Sequence, residues 1–321
     1  MAQGVTDLKT YCTRLAVFFC LLFSSAITAS GAVGLTLEVS LGAQTVYVVG
    51  VSHATLDPLD ARLREIDTML RASGIGAVAV ETFPDRSKLL GSWTEVFDGA
   101  AQANSFLALS APNRDCVERA VSKNSLFTGL RKRSLEDTHV GGLLILLEQS
   151  KSIQPSTLGY VGTEFLVLAL SKKQGLVVAE IEGFESAFRA YVNLPHDEII
   201  GAINAFCKIL NDKKLSEEFT AFNTLQLARV RDDVPIEGLR TAQLSFFEHI
   251  GLSDYPIRMS DNRNPQLAEN ILQFARQHKC SLVMVGELHL SGSQSLQKLL
   301  VSSGAIVRLS KRRIADIDCE G

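Results

Sequence analysis

The chain has 321 residues, 46% of them hydrophobic and 21% charged, with a formal net charge of −3. That length accommodates one large domain or two modest ones with a substantial core. The near-neutral balance leaves no electrostatic footprint for nucleic acid, and the short basic cluster Arg131-Lys132-Arg133, with Glu136-Asp137 close behind, reads as a solvated loop.

The N-terminus has its own grammar. Met1 to Arg14 is polar and carries Lys9 and Arg14, "LAVFFCLLF" follows, and then the small, weakly polar "SSAITASGA". This order of basic, apolar and small-residue regions predicts a secretory signal peptide over 1–32, cleaved near Ala32, and a mature domain over 33–321. The apolar run falls short of the ~20 residues a membrane span needs. The expected location is therefore secreted or periplasmic. The alternative is an uncleaved anchor, in which residues 24–33 extend the apolar segment, and membrane contact is expected only through such a leader. Cys12 and Cys20 lie in the leader, which leaves Cys116, Cys207, Cys280 and Cys319. Four cysteines in an exported chain can form disulfides in three connectivities, among which sequence cannot choose, and buried thiols are the other reading.

After the leader, "LTLEVSLGAQTVYVVG" gives two β-rich runs around Gly42-Ala43, a hairpin. Asp57-Pro58 reads as an N-cap with proline at the first helical position, and Leu59, Leu63, Ile66 and Leu70 recur on one helical face that Gly74 ends. "IGAVAVE" is then a short strand ending at Glu81, so that strand, helix and strand form a parallel unit. The stretch of about 105–247 is largely helical by pattern, with "LVVAEIE" as a strand within it. Near the end, Asn264-Pro265 repeats the cap–proline signal ahead of Leu267, Ile271 and Phe274. "SLVMVG" is a strand, "SQSLQKLLVSSG" a helix and "AIVRL" a last strand. The predicted fold is α/β: a central, mainly parallel sheet built from both chain ends, with a largely helical insertion between them.

Two strand exits share one pattern. "VYVVGVSH" leaves a strand through Gly50 and reaches His53 three residues later; "VMVGELHL" does the same with Gly286 and His289. In both copies a capping residue, Asp57 or Ser293, stands four positions past the histidine. Such loops lie at strand C-terminal ends, where open α/β sheets bind ligands. Glycine there permits close approach or a positive φ. A nearby helix N-terminus favours neutral imidazole, the form that a metal ligand or general base requires. Glu81, at the end of its own strand, points to the same crevice, so that two histidines and one carboxylate make a candidate ligand set. His139, His196, His249 and His278 read as structural or solvated. There is no nucleophile elbow, phosphate-binding glycine loop or dinucleotide fingerprint.

In these blocks the chain resembles the TraB/GumN family, which includes the Tiki metalloproteases and is distantly related to erythromycin esterase-like and ChaN-like proteins. The resemblance rests on "VYVVGVSH", "AVAVE", "GTEFLVLALSKKQGLVVAEIEGFES", "DNRNPQLAENI" and "VMVGELHLSG", in that order along nearly all of the mature chain. It implies a site of His53, Glu81 and His289, with Arg263, Asn264 and Glu182 contributing. It also implies a divalent ion, manganese or cobalt, and a metal-dependent peptidase acting on a peptide or small-molecule substrate. Asn264 has a second reading as a helix N-cap. The family's diversity leaves two other readings: a metal-free, esterase-like hydrolase, and a non-enzymatic binder of a peptide pheromone, haem or other small ligand. The chain departs from the family pattern at Val51, where threonine is common and the hydroxyl here is on Ser52, and at Glu287 and Leu288, where small residues are usual.

Overall fold

A computed structural model describes residues 36–51, 67–68, 70–71, 74–83, 86–98, 106–123, 135–152, 163–219, 236–310 and 319. The leader, the basic cluster 131–133, and His53 with the start of its helix lie outside the described residues.

The hairpin forms as expected, with β1 (Thr36–Leu41) and β2 (Gln44–Val51) paired antiparallel around Gly42-Ala43. β3 (Ala77–Val80) ends one residue before Glu81. The helix expected before it is present at residues 67–68 and 70–71. β4 (Val177–Glu180), β5 (Cys280–Gly286) and β6 (Ile306–Ser310) complete a six-stranded sheet of order β4-β3-β5-β2-β1-β6. β2–β5, β3–β5 and β3–β4 are parallel, whereas β1 pairs antiparallel with both β2 and β6. β2 and β3, consecutive in sequence, are thus separated by β5 from the far end of the chain. That insertion brings the exits of β2, β3 and β5 side by side.

Strand residues alternate between two faces, as a period of two requires. Val46 and Val48 join Leu37, Val39, Ala77, Ala79, Val283 and Val285 in one buried layer. Tyr47, Val49 and Val51 join Val78, Val80, Leu282 and Met284 in the other. The first layer is covered by Leu267, Ile271, Leu272 and Ala275 and by Leu296 and Leu300. The second is covered by Leu70, Val167 and Leu168. A sheet buried on both faces explains why its strands read as near-continuous apolar runs.

The remaining helices form a second core. α1 (Arg86–Trp93), α2 (Ala111–Lys123) and α3 (Val140–Ser152) precede α4 (Thr163–Lys173), which returns the chain to the sheet ahead of β4. α5 (Phe184–Val192), α6 (His196–Asn211), α7 (Ile236–His249) and α8 (Tyr255–Asp261) follow. α9 (Asn264–Gln277) and α10 (Leu296–Ser302) belong again to the sheet. Trp93, Phe97, Phe188, Phe206 and Phe247 fill the helical core. α4 and β4 therefore interrupt the expected insertion of about 105–247. No described helix is long and apolar enough to cross a membrane.

Cys116 is paired with Cys207 and Cys280 with Cys319. One of the three open connectivities is thereby selected. Two helix starts differ from expectation. α9 begins at Asn264 with Arg263 as its N-cap, and α10 is preceded by Ser295 rather than Ser293; neither cap residue uses its side chain. Neither Gly50 nor Gly286 needs a positive φ: Gly286 has φ −55°, and Gly50 is not among the glycines with positive φ. Gly50 is instead a close-approach residue, since a Cβ there would lie 2.8 Å from Leu290 Cδ1 and 3.1 Å from the Glu287 backbone.

Candidate functional site

The site forms where β3, β4 and β5 end. Backbone hydrogen bonds link the two chain segments just past β3 and β4, with Ile181 N–H donating to Val80 O at 2.9 Å and Glu182 N–H to Glu81 O at 3.0 Å. Glu81 and Glu182 are therefore brought together by this backbone contact beyond the strands, not by nearness in sequence. Arg263 reaches both from the start of α9. Its Nε donates to Glu182 Oε1 at 2.6 Å, its Nη2 donates to Glu182 Oε2, and the same Nη2 lies 3.3 Å from Glu81 Oε2. This fork suits a carboxylate better than any other cationic side chain could.

Glu81 is nearly buried, and both its oxygens are engaged. Oε2 faces Arg263, and Oε1 accepts the Gly286 N–H at the end of β5. Oε1 also lies 3.6 Å from His289 Nε2. His289 sits in the 3₁₀ turn Glu287–Leu290 that follows β5, and it is 4% exposed.

Asn264 fixes that ring. Its Oδ1 lies 2.5 Å from His289 Nδ1, while its Nδ2 donates to Gln294 O at 2.6 Å and approaches His289 O at 3.4 Å. Two carbonyl acceptors set the amide orientation, so Oδ1 must accept from His289 and Nδ1 must carry the hydrogen. In the neutral ring the Nε2 lone pair is consequently turned toward Glu81. By these contacts Asn264 is tied to His289 and Gln294, and it is not the N-cap of its helix.

Electrostatics follow from burial. Burial pushes the Glu182 carboxyl above the ordinary glutamate range, and the hydrogen bonds and charge of Arg263 only partly oppose this. Burial also works against the Arg263 charge. The hydrogen bonds that Arg263 donates to Glu182 and the charges of Glu182 and Glu81 outweigh burial and hold the guanidinium above its ordinary value. In the described contacts two carboxylates, Glu81 and Glu182, face the one guanidinium of Arg263.

An imidazole nitrogen with its other nitrogen anchored, beside a carboxylate oxygen, is a donor pair that suits a divalent first-row metal. Among the described residues no group of three or more His, Cys, Asp or Glu side chains forms a metal-ligand cluster. His53, the third ligand expected from sequence, lies outside them. Glu81, Glu182, Arg263, Asn264, Gly286 and His289 come together, and Gly50 packs beneath the turn that carries His289.

Sequence reasoning missed a second layer. Glu148 accepts from Tyr191 Oη at 2.6 Å and from Tyr255 Oη at 2.5 Å in the helical region, and the charge of Arg263 acts on Tyr191. Arg240 pairs with Asp261 and bonds to Ser291 O. The one sequence signal was the nearness of Asp261 to Arg263 in "SDNRNP".

No curated protein and no solved structure matches the chain. A family profile does match residues 35–309, a span that holds both Gly-x-x-His blocks, both glutamates and the Arg263-Asn264 pair. By that match the chain belongs to the TraB/PrgY/gumN family.

Proposed function

We propose that this protein is an exported hydrolase that uses a divalent ion to cleave a peptide or another small carbonyl substrate. The observation that carries the reading is the His289 ring, whose Nδ1 is anchored on Asn264 so that Nε2 is turned to Glu81 Oε1, 3.6 Å away. His289, Glu81 and His53, two residues beyond the end of β2, are the side chains that would hold the ion. Such an ion lowers the pKa of bound water and polarises a carbonyl, and the family resemblance points to manganese or cobalt.

The chain's own groups have distinct tasks. Proton exchange at His289 is confined to Nε2, because Nδ1–H is committed to Asn264. Arg263 places a fixed positive charge at the cleft, suited to a developing oxyanion or a substrate carboxylate. Glu182, with a side chain only 2% exposed and both oxygens on Arg263, positions that guanidinium and is not itself a reacting group. Glu287 and Leu288, between Gly286 and His289, border the site and set the charge and width of its approach.

Metal analysis of the purified full-length chain is the test. Stoichiometric manganese or cobalt is expected in the wild type and none in His289→Ala. The same variant strips Asn264 Oδ1 of its donor and should lose about 1–3 kcal/mol of stability. Hydrolysis that persists after chelation would replace this reading with a metal-free hydrolase. Ligand binding without turnover would replace it with a binding protein. Export is supported by the two disulfides, which belong in an oxidising compartment. N-terminal sequencing of the exported protein should start near Ala32; a start at Met1 with tight membrane association would reinstate the anchor.

A further inference from the structure

We propose that Arg240 is a positioning residue that locks the Arg263–Asn264 helix start in register with the His289 loop. Arg240 comes from α7, in the helical region, and is only 7% exposed. Its Nη2 donates to both oxygens of Asp261, at 3.0 and 2.9 Å, and its Nη1 donates to Ser291 O at 3.2 Å. Asp261, 3% exposed, ends α8 two residues before Arg263. Ser291 follows His289 by two residues. One guanidinium therefore grips the two chain segments that supply Arg263, Asn264 and His289, each a short, stiff step from a site residue.

The loop is shaped around this grip. Gly292 has φ +93°, and a Cβ there would lie 2.4 Å from Arg240 Cζ. The backbone conformation favours glycine, and any side chain there would also push the Arg240 guanidinium from its place. Ser291 N–H donates to Leu288 O at 3.3 Å and Ser291 Oγ to the same oxygen at 3.2 Å, so the residue held by Arg240 also closes the turn around His289. On the other side, Arg263 N–H donates to Ser260 O at 3.2 Å and Arg263 Nη1 to Met259 O at 3.4 Å, so the arginine is braced on the helix that Asp261 terminates.

Lysine could supply the charge of Arg240 but not its fork, which is what spans Asp261 and Ser291 together. The consequence is a defined geometry between His289 Nδ1 and Asn264 Oδ1, and hence a fixed tautomer at His289. Loss of a group that hydrogen-bonds a metal ligand directly typically changes metal affinity by roughly 10–100-fold, and the Asn264–His289 contact that Arg240 holds in place is of that kind.

The inference rests on the proposed function only in taking His289, Asn264 and Arg263 as site residues, and its test can be read without any metal. The imidazole ¹⁵N resonances of His289 are recorded in the full-length wild type, in Arg240→Lys, in Arg240→Met and in the double variant Arg240→Met/Asp261→Leu. Mn²⁺ titrations run in parallel. The double variant replaces a buried ion pair with apolar groups and should recover much of the thermal stability that Arg240→Met loses. Positioning predicts that the His289 resonances move toward tautomer-averaged values in Arg240→Met and stay displaced in the double variant. Mn²⁺ affinity should fall by roughly ten-fold or more in both, with Arg240→Lys intermediate. Resonances that return to their wild-type values when stability does would make Arg240 purely structural and overturn the proposal. Absence of Mn²⁺ binding to the wild type would remove the metal reading, while the resonance series would still decide the role of Arg240.

Discussion

The sheet and the helical region solve burial differently. The sheet core is mostly valine, alanine, leucine and isoleucine, with Tyr47, Phe274 and Met284 among the exceptions, whereas the helical core packs its leucines and isoleucines around Trp93, Phe97, Phe188, Phe206 and Phe247. Small branched side chains suit a pleated surface covered on both faces. Aromatic rings fill the irregular spaces between crossing helices. The candidate site residues hang from strand ends and from the start of α9, while the helical region contributes Arg240, Glu148, Tyr191 and Tyr255 behind them. The difference teaches a division of labour: the sheet presents functional groups, and the helices hold them in place.

The sharpest way to break that division is at Arg263, the one cation facing both Glu81 and Glu182 in the described contacts. Arg263→Met removes the cation that Glu81 and Glu182 share and should cost about 3–5 kcal/mol in urea unfolding. Adding Glu182→Gln to the same chain should recover part of the loss. A wild-type urea midpoint for Arg263→Met would mean that the sheet end does not depend on its charge pairing. On the helical side, Phe206→Ala should cost a similar ~3–5 kcal/mol by opening a cavity. It should leave the Mn²⁺ affinity of the folded protein unchanged. If that affinity falls in step with stability, the two regions are one cooperative site and the division is wrong.

Each region also carries its own disulfide. Cys116–Cys207 joins α2 to α6 across a sequence separation of 91 residues, and Cys280–Cys319 ties the start of β5 to the C-terminus across 39. The longer loop restrains the unfolded chain more. Cys116→Ser/Cys207→Ser should therefore lose about 2–4 kcal/mol, and Cys280→Ser/Cys319→Ser less. The reverse order, measured by thermal unfolding under identical conditions, would place the weak point of the fold in the sheet.

How much of this was legible in the sequence differs by region. Strand runs with glycine exits located β2 and β5, and a short apolar run ending in a glutamate located β3 and Glu81, because those signals are local. The strand order was not legible: β5 enters between β2 and β3 from the far end of the chain, and no pattern in "VYVVG" or "AVAVE" encodes the neighbour it will receive. Local grammar misled at Asn264, where a cap–proline signal pointed to an N-cap. The amide is drawn instead to His289 and Gln294, partners supplied only by tertiary contact. Arg240 carried no signal for the same reason. Its two partners, 21 and 51 residues away, meet only once α7, α8 and the loop after β5 have assembled.

The smallest effect separates the two regions by their buried acids. Burial raises the Glu148 carboxyl above its ordinary range, with the phenol hydrogen bonds of Tyr191 and Tyr255 opposing, and it raises Glu182 likewise against the pull of Arg263. An acid whose folded pKa exceeds its unfolded value binds more protons when folded, over the interval between the two. Stability therefore falls as pH rises through that interval, and the penalty is complete above the folded pKa. The lower edge of the interval is the unfolded value, about 4.3 for glutamate. One such group contributes at most ~1.4 kcal/mol per pH unit. Glu148→Gln should flatten the unfolding free energy against pH above the unfolded value and leave the His289 resonances untouched, because its partners are two tyrosines of the helical region. Glu182→Gln should flatten the same profile but also shift those resonances, since it frees Arg263 to move against Glu81. A Glu148→Gln chain in which the His289 signals do move would show that the tyrosine cluster reaches the site through Tyr191 and Arg263. The helices would then tune the functional groups as well as hold them.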